Sequence, residues 1–322
     1  MDPNRAFDVV VVGGANIDYL VKGEELPKPG TTVTGQLFQE APGGKGANQA
    51  VAIARLGGRA AVIASVGSDQ RGEALVERLV QECVDTSAIV RHSTAPTGVA
   101  LIAVDALGEK QIVWAPGANE RLTPSSIAAA AELFASTKIV LLQLEIPIEG
   151  VEAAIRLARA AGARVVLDPA PAAPLREEIL RDVHVIRPNA FEASVLTGIE
   201  VRDRTSARRA AENLIRRGVR AACVGAPGGN LLVSDEGETW LPHLPVEVVD
   251  ATGAGDAFAG ALALALAEGS DLAHAARFAH AASALATTKV GAQAALPRRD
   301  AVMALLGATE PVIANELPSA DT

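Results

Sequence analysis

The stretch DATGAGDAF, residues 250–258, places two carboxylates around a glycine-rich turn that leads into an apolar, alanine-rich segment. Such a turn exposes backbone N–H groups that have no partner within the helix, and the helix dipole adds positive potential there. Asp256 could accept a proton from a hydroxyl while the backbone of this turn, at Gly253, Ala254, Gly255 and Asp256 itself, holds a transferring phosphoryl group. An ordinary capped helix start is the alternative, and this stretch taken alone favours neither.

A second glycine-rich stretch, APGGKGANQA, covers residues 41–50. It is not a P-loop, because Lys45 is followed by Gly46 rather than by Ser or Thr. Its glycines and Asn48 could instead approach a polyol closely. A glycine-rich loop that merely precedes a helix is the less favoured alternative.

Polar residues that follow predicted strands are further candidates. Asn16 and Asp18 come just after a buried strand, and alternating side-chain direction lets both face one side and bind a diol. Asx turns explain the same two residues equally well. Glu145 ends another apolar strand, where a charge is either solvated or functional.

Two features have a favoured structural explanation when each is taken alone. Asn189 and Glu192 could order water around a magnesium ion, but the same N-x-x-E spacing also caps a helix. His280 lies in an alanine-rich helix, where histidine usually packs, and it is retained only as a wall of a nucleotide pocket.

Composition and missing motifs exclude several classes of protein. The net charge is −9 and aromatic residues make up 3%, which disfavours nucleic-acid binding. No apolar run is long enough for a membrane span, and the dinucleotide fingerprint G-x-G-x-x-G is absent, which disfavours a nicotinamide dehydrogenase. Two cysteines and no His/Cys cluster predict neither disulfides nor zinc, so we expect a reduced cytoplasmic setting.

Strand and helix patterns alternate along most of the chain, which predicts a mostly parallel sheet covered by helices on both faces. Strands are predicted at 7–12, 31–40, 60–67, 97–115 (a hairpin), 138–145, 163–170, 183–189 and 220–225, and a further hairpin after 230. Helices are predicted at 46–56, 70–82, 124–135, 148–161, 206–217, 254–268, 271–287 and 298–306. The main α/β domain comprises 1–16, 41–95 and 116–310, a β-sheet lid comprises 17–40 and 96–115, and 311–322 is expected to be a flexible tail.

Taken together, the motifs GGKGANQA, RPNAFEASVLTG and DATGAGDAF resemble those of the PfkB, or ribokinase-like, carbohydrate kinases. GANIDY, PTGVALI, PGAN, LQLEIP, LDPAPA, RFAHAASALA and KVGAQ follow the family in the same order, so the resemblance covers roughly residues 8–307. It implies a three-layer αβα sandwich with a small β-sheet lid, and a homodimer formed through that lid.

The resemblance also implies an activity and a set of site residues. The expected reaction transfers the γ-phosphate of ATP, bound with Mg²⁺, to the 5-hydroxyl of D-ribose, with Asp256 as the base and K⁺ as an activating cation. Sugar-binding residues would be Asn16, Asp18, Gly44, Lys45, Gly46, Ala47, Asn48 and Glu145. ATP and its magnesium would involve Asn189, Glu192, Val224, Gly225, Ala226, Pro227, Gly228, Gly229, Ala254, Gly255 and His280. Potassium would lie near Asp250 and Thr252, with Ala286, Lys289 and Gly291 offering backbone carbonyls and Ala295 in the adjoining loop.

Two loops depart from the family pattern, at three positions. Val224 and Ala226 replace the Thr and the first Gly that are usual in the nucleotide loop, and Ala295 replaces a Ser that is common near the cation. Contacts to ATP and potassium are therefore expected to differ. A family member acting on 2-deoxyribose, a nucleoside or another furanose remains open, as does a sensor that binds without phosphorylating, although the intact Asp256 argues against a sensor.

Overall fold

The structure is a computed structural model and describes residues 5–314. In chain order the strands are β1 (Val9–Val12), β2 (Asn16–Gly23), β3 (Gly35–Gly43), β4 (Ala60–Gly67), β5 (Ile89–His92), β6 (Gly98–Val104), β7 (Lys110–Ala115), β8 (Ile139–Leu142), β9 (Arg164–Leu167), β10 (Val185–Ile186), β11 (Ala221–Ala226), β12 (Gly229–Ser234) and β13 (Gly237–Pro242). The helices are α1 (Lys45–Arg55), α2 (Gln70–Gln81), α3 (Pro124–Ala129), α4 (Ala131–Ala135), α5 (Ile148–Ala160), α6 (Glu177–Leu180), α7 (Ala190–Thr197), α8 (Arg204–Arg216), α9 (Ala254–Glu268), α10 (Leu272–Ala286), α11 (Ala292–Ala295) and α12 (Arg299–Ala314).

Within residues 5–314 the main sheet has nine strands in the order β13-β12-β11-β10-β9-β8-β1-β4-β5. Its strands run parallel except for the β11-β12-β13 hairpins at one edge. The side chains of β1 alternate between two separate cores. Val9 and Val11 belong to the core that contains residues of α1, α9 and α10, whereas Val10 and Val12 belong to the core that contains residues of α5 and α8. The predicted three-layer αβα arrangement is therefore confirmed.

Four strands form a second sheet, in the order β3-β2-β6-β7, within the part of the chain that the structure describes. We call it the lid. The β6-β7 hairpin confirms the prediction for 97–115. The other lid strands differ from the prediction, because β2 was not foreseen and the strand expected at 31–40 lies at β3. Polar and apolar residues do not alternate cleanly in β2, because Tyr19, Leu20 and Val21 follow one another in its sequence.

Several element boundaries differ from those predicted. The helix expected at 124–135 is divided at Ala130, and the strand expected at 183–189 is reduced to β10 because the chain turns there into the cap of α7. Strand β5 and helices α6 and α11 were not predicted. Helix α12 continues through 311–314, where a flexible tail was expected, and 315–322 lie outside the described residues. No helix within residues 5–314 is long and apolar enough to cross a membrane.

The carboxyl ends of the parallel strands converge beneath the lid. Gly13 follows β1, Gln143 follows β8 and Asp168 follows β9, while helices α1 and α9 begin at the same edge. In open α/β sheets this edge is where ligands bind. The fold therefore brings segments that are far apart in the sequence into one cleft.

Candidate active site

Asp256 lies in the first turn of α9 and is 6% exposed. The helix is preceded by Gly253, whose φ of 80° is left-handed. A Cβ atom there would lie 2.9 Å from backbone atoms of Ala292, so a larger residue would be both strained and too close. The Ala254 N–H donates to the Ala251 carbonyl oxygen at 3.3 Å, whereas Gly255 and Asp256 lie in the first turn, whose N–H groups have no partner within the helix. A carboxylate and a backbone anion cradle are thus adjacent.

Two amides from α1 hold the Asp256 carboxylate. Asn48 Nδ2 donates to Asp256 Oδ2 at 2.9 Å, and Gln49 Nε2 donates to Asp256 Oδ1 at 3.0 Å. Gln49 Nε2 also donates to Asp168 Oδ2 at 2.8 Å. Both oxygens of Asp256 accept hydrogen bonds, which fixes the orientation of the carboxylate at the bottom of the cleft.

The start of α1 packs directly against the glycines after β1. A Cβ at Gly46 would lie 2.7 Å from the Gly13 carbonyl carbon, so only glycine permits this approach. Gly44 precedes the helix with a φ of 86°, and Ala47 is fully buried behind it. The close contact places the polar residues of α1 at the bottom of the cleft.

Lys45 and Glu145 form the charged centre of the cleft. The Lys45 backbone N–H donates to Glu145 Oε2 at 2.8 Å. Burial raises the pKa of Glu145 to about 7, although the Lys45 charge opposes this shift. Burial acts to lower the pKa of Lys45, but the charges of Asp256 and Asp168 outweigh it and raise that pKa. Lys45 therefore stays cationic, and Glu145 titrates near neutrality.

Asn16 and Asp18 lie on the same face of β2, as predicted from their spacing. The Asn16 amide is buried and lies 2.7 Å from Asn119 Nδ2. Burial and then the charge of Asp256 raise the pKa of Asp18 to about 6. The face of the lid that carries both residues thus closes the cleft opposite α1.

Asn189 and Glu192 form a capping box at the start of α7. Asn189 Oδ1 accepts from the Glu192 N–H and Glu192 Oε2 accepts from the Asn189 N–H, each at 2.8 Å. These two residues therefore cap a helix, which is the structural explanation that their spacing allowed. Burial and the neighbouring charge of Asp168 raise the pKa of Glu192, so the cap also faces the carboxylates of the cleft.

The predicted nucleotide residues lie at the β11–β12 turn and on α10. Val224 is fully buried in the core, so its side chain does not face the turn. The remaining residues, Gly225, Ala226, Pro227, Gly228 and Gly229, end β11, form the turn and begin β12. His280 Nε2 lies 2.7 Å from the Pro242 carbonyl oxygen and its Nδ1 lies 3.0 Å from Asn230 Nδ2. Burial lowers the pKa of His280, which favours a neutral ring that donates from Nε2.

The residues predicted for potassium lie around the Asp250 carboxylate. Asp250 Oδ1 accepts from the Thr252 hydroxyl at 2.6 Å, and Oδ2 accepts from the Gly291 N–H at 3.0 Å. A lid residue, Lys110, also reaches this group, with Nζ 2.8 Å from Asp250 Oδ1. Burial opposes ionisation of Asp250, but these hydrogen bonds outweigh it and hold its pKa well below the usual range.

The other three residues of that predicted set are not joined to the Asp250 side chain by a hydrogen bond within residues 5–314, although the Asp250 N–H donates to the carbonyl of Thr287, which follows Ala286. Ala286 and Ala295 are buried, and neither offers a side-chain ligand. Lys289 and Ala295 line a cavity of about 440 Å³ together with Arg55 and Leu296. Of the predicted set, the structure therefore joins Asp250, Thr252 and Gly291 by hydrogen bonds.

Three residues of the site, Gln49, Arg187 and Lys110, were not predicted from the sequence. Gln49 follows Asn48 directly and could have been included with the motif. An added Cβ at Gly255 would lie 2.9 Å from Arg187 Nη1, so this guanidinium lies beside the start of α9. Arg187 Nη1 is also 3.7 Å from Asp168 Oδ1. No local signal marks Arg187 or Lys110, because their partners come from distant parts of the chain.

Comparisons with known proteins agree with this geometry. Residues 6–299 match the family described as pfkB family carbohydrate kinase. Ribokinase of Haemophilus influenzae is 40% identical over 299 residues, covering 92% of this chain and 98% of that protein. Ribokinase of Bacillus subtilis is 37% identical, covering 93% and 99%. The structure of Arabidopsis thaliana ribokinase complexed with ribose and ATP superposes with a TM-score of 0.86 at 32% identity, covering 94% and 99%.

The fold, the cleft and these relatives together define a sugar kinase, an enzyme that transfers a phosphoryl group to an alcohol. The chain belongs to the pfkB family of carbohydrate kinases. The family resemblance noted in the sequence is thereby confirmed, as is the predicted fold.

The raised pKa of Glu145 predicts a pH-dependent stability. Between pH 4.5, the ordinary value, and pH about 7, the folded state retains a proton that the unfolded state releases. Stability must therefore fall as pH rises through this window. We expect Glu145→Gln to make the fall in Tm between these pH values shallower, measured by differential scanning fluorimetry. Glu212→Gln, at an exposed position of α8, is the control, and equal slopes in the two variants would contradict the raised pKa.

Proposed function

We propose that this protein transfers the γ-phosphoryl group of ATP to the 5-hydroxyl of D-ribose and releases ribose 5-phosphate and ADP. The observation that carries the proposal is the buried Asp256 at the start of α9, held by Asn48 and Gln49 at the bottom of a lid-covered cleft. The similarity to ribokinases of two bacteria and to a ribokinase structure with ribose and ATP supports the choice of substrates.

The sugar occupies the space between α1 and the inner face of the lid. Asn48 Oδ1 is buried and accepts no hydrogen bond within the described part of the chain. A buried acceptor without a donor is costly, and a sugar hydroxyl would satisfy it. Asp18 and Glu145 supply further acceptors, while Lys45 supplies a donor and balances their charge. Asn16 completes the polar lining from the lid.

Asp256 accepts the proton of the 5-hydroxyl as its oxygen attacks the γ-phosphorus and the bond to the β–γ bridging oxygen breaks. The N–H groups of Ala254, Gly255 and Asp256 face the negative charge of the transferring group. The Arg187 guanidinium beside Gly255 adds positive charge at the same place. Exclusion of water beneath the lid favours transfer to the sugar over hydrolysis.

Magnesium, bound with ATP, fits the oxygen-rich end of the cleft near Asp168 and Glu192. Mg²⁺ prefers carboxylate and water oxygens, and Asp168 Oδ1 accepts no hydrogen bond among the described residues. When bound, the ion neutralises charge on the phosphates. Asn189 and Glu192 keep the start of α7 in place through their mutual cap and orient water on this side. The turn at 224–229 and His280 line the adenosine side.

The residues around Asp250 fit a potassium ion less well than the residues near Asp168 fit magnesium. The Asp250 oxygens that would bind it already accept hydrogen bonds from Thr252, Gly291 and the Lys110 ammonium. Ala295 offers no hydroxyl. The proposed phosphoryl transfer therefore contains no step that uses a potassium ion.

The outer face of the lid supports a homodimer. Cross-strand register places Val21 beside Phe38 and places Leu101 beside Val113 on the face opposite Asp18. Their exposed fractions range from 42% to 67%, which makes an extended apolar surface. Two copies of one apolar sheet face can cover each other about a twofold axis. We propose that a second copy of this chain is the occupant.

A panel of acceptors tests the substrate. The protein is incubated with ATP, magnesium and, in turn, D-ribose, 2-deoxy-D-ribose, D-xylose, D-arabinose, D-fructose or adenosine, and ADP release is measured. We expect the highest kcat/KM with D-ribose, at least about tenfold above 2-deoxy-D-ribose, since a missing hydroxyl leaves buried groups unpaired. Phosphorus NMR of the product should show the phosphate on the 5-oxygen. A higher kcat/KM for another acceptor would refute the ribose assignment.

Asp256→Asn tests the base. We expect kcat to fall by about 10²- to 10⁴-fold because the proton acceptor is lost, whereas ribose still binds when measured calorimetrically. Asp300→Asn is the matched control, because Asp300 is also an acidic residue in the first turn of a helix but is exposed. Turnover of Asp256→Asn close to that of the control would exclude the assigned role.

Leu101→Lys tests the dimer. A charge in the centre of the apolar face should convert the dimer to a monomer, as measured by light scattering after size-exclusion chromatography. Leu107→Lys, at the exposed β6–β7 turn, introduces the same charge outside that face and should remain dimeric. A monomeric unmodified protein, or dissociation of both variants alike, would contradict this interface.

A further inference from the structure

Lys110 joins the edge of the lid to the loop before α9. It is the first residue of β7, which is an edge strand of the lid sheet. Its ammonium donates to Asp250 Oδ1 at 2.8 Å and also contacts Thr252 Oγ1. The two partners lie just before Gly253, where the anion cradle begins. A lid residue thus places a positive charge directly behind the phosphoryl site.

The hydrogen bonds around this ammonium are mutually consistent. The Thr252 hydroxyl donates its proton to Asp250 Oδ1 at 2.6 Å, which leaves its lone pairs free to accept from Lys110. The second carboxylate oxygen is bound to the Gly291 N–H, and the Thr252 N–H also donates to Oδ1. Each donor therefore has an acceptor, and the carboxylate charge is matched by one cation. Asp250 and Lys110 are both partly shielded, with side chains 12% and 27% exposed.

The oxygens that Lys110 occupies are the side-chain oxygens predicted to bind a free monovalent cation. A cation bound to Asp250 Oδ1 and Thr252 Oγ1 would compete with the ammonium for the same lone pairs and would be repelled by its charge. The substitution of Ala for a hydroxyl residue at Ala295 removes a further oxygen from this loop. Both features weaken the site for a free ion.

We propose that the Lys110 ammonium takes the place of a monovalent cation at Asp250. The loop that shapes the start of α9 is then supported by a charge that belongs to the lid. Lys110 is a positioning residue, because it acts on the reacting groups through Asp250, Thr252 and the turn at Gly253. The enzyme is consequently independent of added potassium, although its fold and cleft are those of the family.

The test compares Lys110→Met, which removes the charge but keeps most of the side-chain stem, with the unmodified protein. Lys22→Met is the matched control, because Lys22 is also a lysine of the lid and is exposed. The two lysines lie in the same cross-strand row, since each of them pairs with Val104. Each protein is assayed with ATP, magnesium and D-ribose in choline, sodium, potassium or ammonium chloride at equal ionic strength. The Tm is measured in the same salts without substrates, as a readout that does not depend on activity.

We expect the unmodified protein and Lys22→Met to change by less than about twofold in kcat/KM among these salts. Lys110→Met should lose about tenfold in choline and recover most of the loss in potassium or ammonium, which can occupy the vacated oxygens. Its Tm should rise with potassium concentration, whereas the Tm of the other two proteins should not.

Three results would overturn the proposal. The first is an unmodified protein that requires potassium for activity and gains Tm from it. The second is a Lys110→Met variant that loses activity and does not regain it in any of the salts. That result would mean that Lys110 only links the lid to the loop before α9. The third is a Lys110→Met variant that matches Lys22→Met in every salt. Since the proposal extends the kinase function, the Tm series keeps it testable even if ribose proves not to be the acceptor.

Discussion

The site depends on how closely α1 and α9 approach each other. Asn48 and Asp256 are 208 positions apart in the sequence, yet their side chains are hydrogen bonded in the interior. A Cβ at Gly260 of α9 would lie 2.9 Å from the Ala52 Cβ of α1, so the two helices pack at a distance that only glycine allows. Gly46 makes a similar contact with Gly13. The small residues of both helices are therefore structural conditions for the position of the base.

This close packing buries more negative than positive charge. Asp18, Glu145, Asp168 and Asp256 surround Lys45, and unpaired buried carboxylates are costly. The protein meets this cost in two ways. Amides such as Gln49 donate to the carboxylates, and the raised pKa values of Asp18 and Glu145 allow those groups to remain partly protonated until a ligand arrives. Asp256 is distinguished from its neighbours by accepting hydrogen bonds at both oxygens.

The sequence predicted the αβα sandwich and the segments that form the cleft, because glycine-rich turns and buried strands are local patterns. It also placed Asn16 and Asp18 on one face, since alternation along a strand is a local property. Strand β2 itself was not predicted, because its stability depends on pairing with β3 and β6. Arg187 gave no signal for a related reason, since its neighbour Gly255 is remote in the sequence.

Contacts between distant segments cannot be predicted from local sequence patterns, and Lys110 is the clearest case, because 140 positions separate it from Asp250. In the sequence it is an exposed lysine after a hairpin turn, which is among the least informative positions in a chain. Its significance arises only when the lid sheet extends β7 as far as the loop before α9. An ion from solution would support that loop in any state of the lid, whereas a tethered ammonium does so only while the lid edge contacts the loop. The electrostatic support of the phosphoryl site is thereby coupled to the part of the protein that covers the sugar.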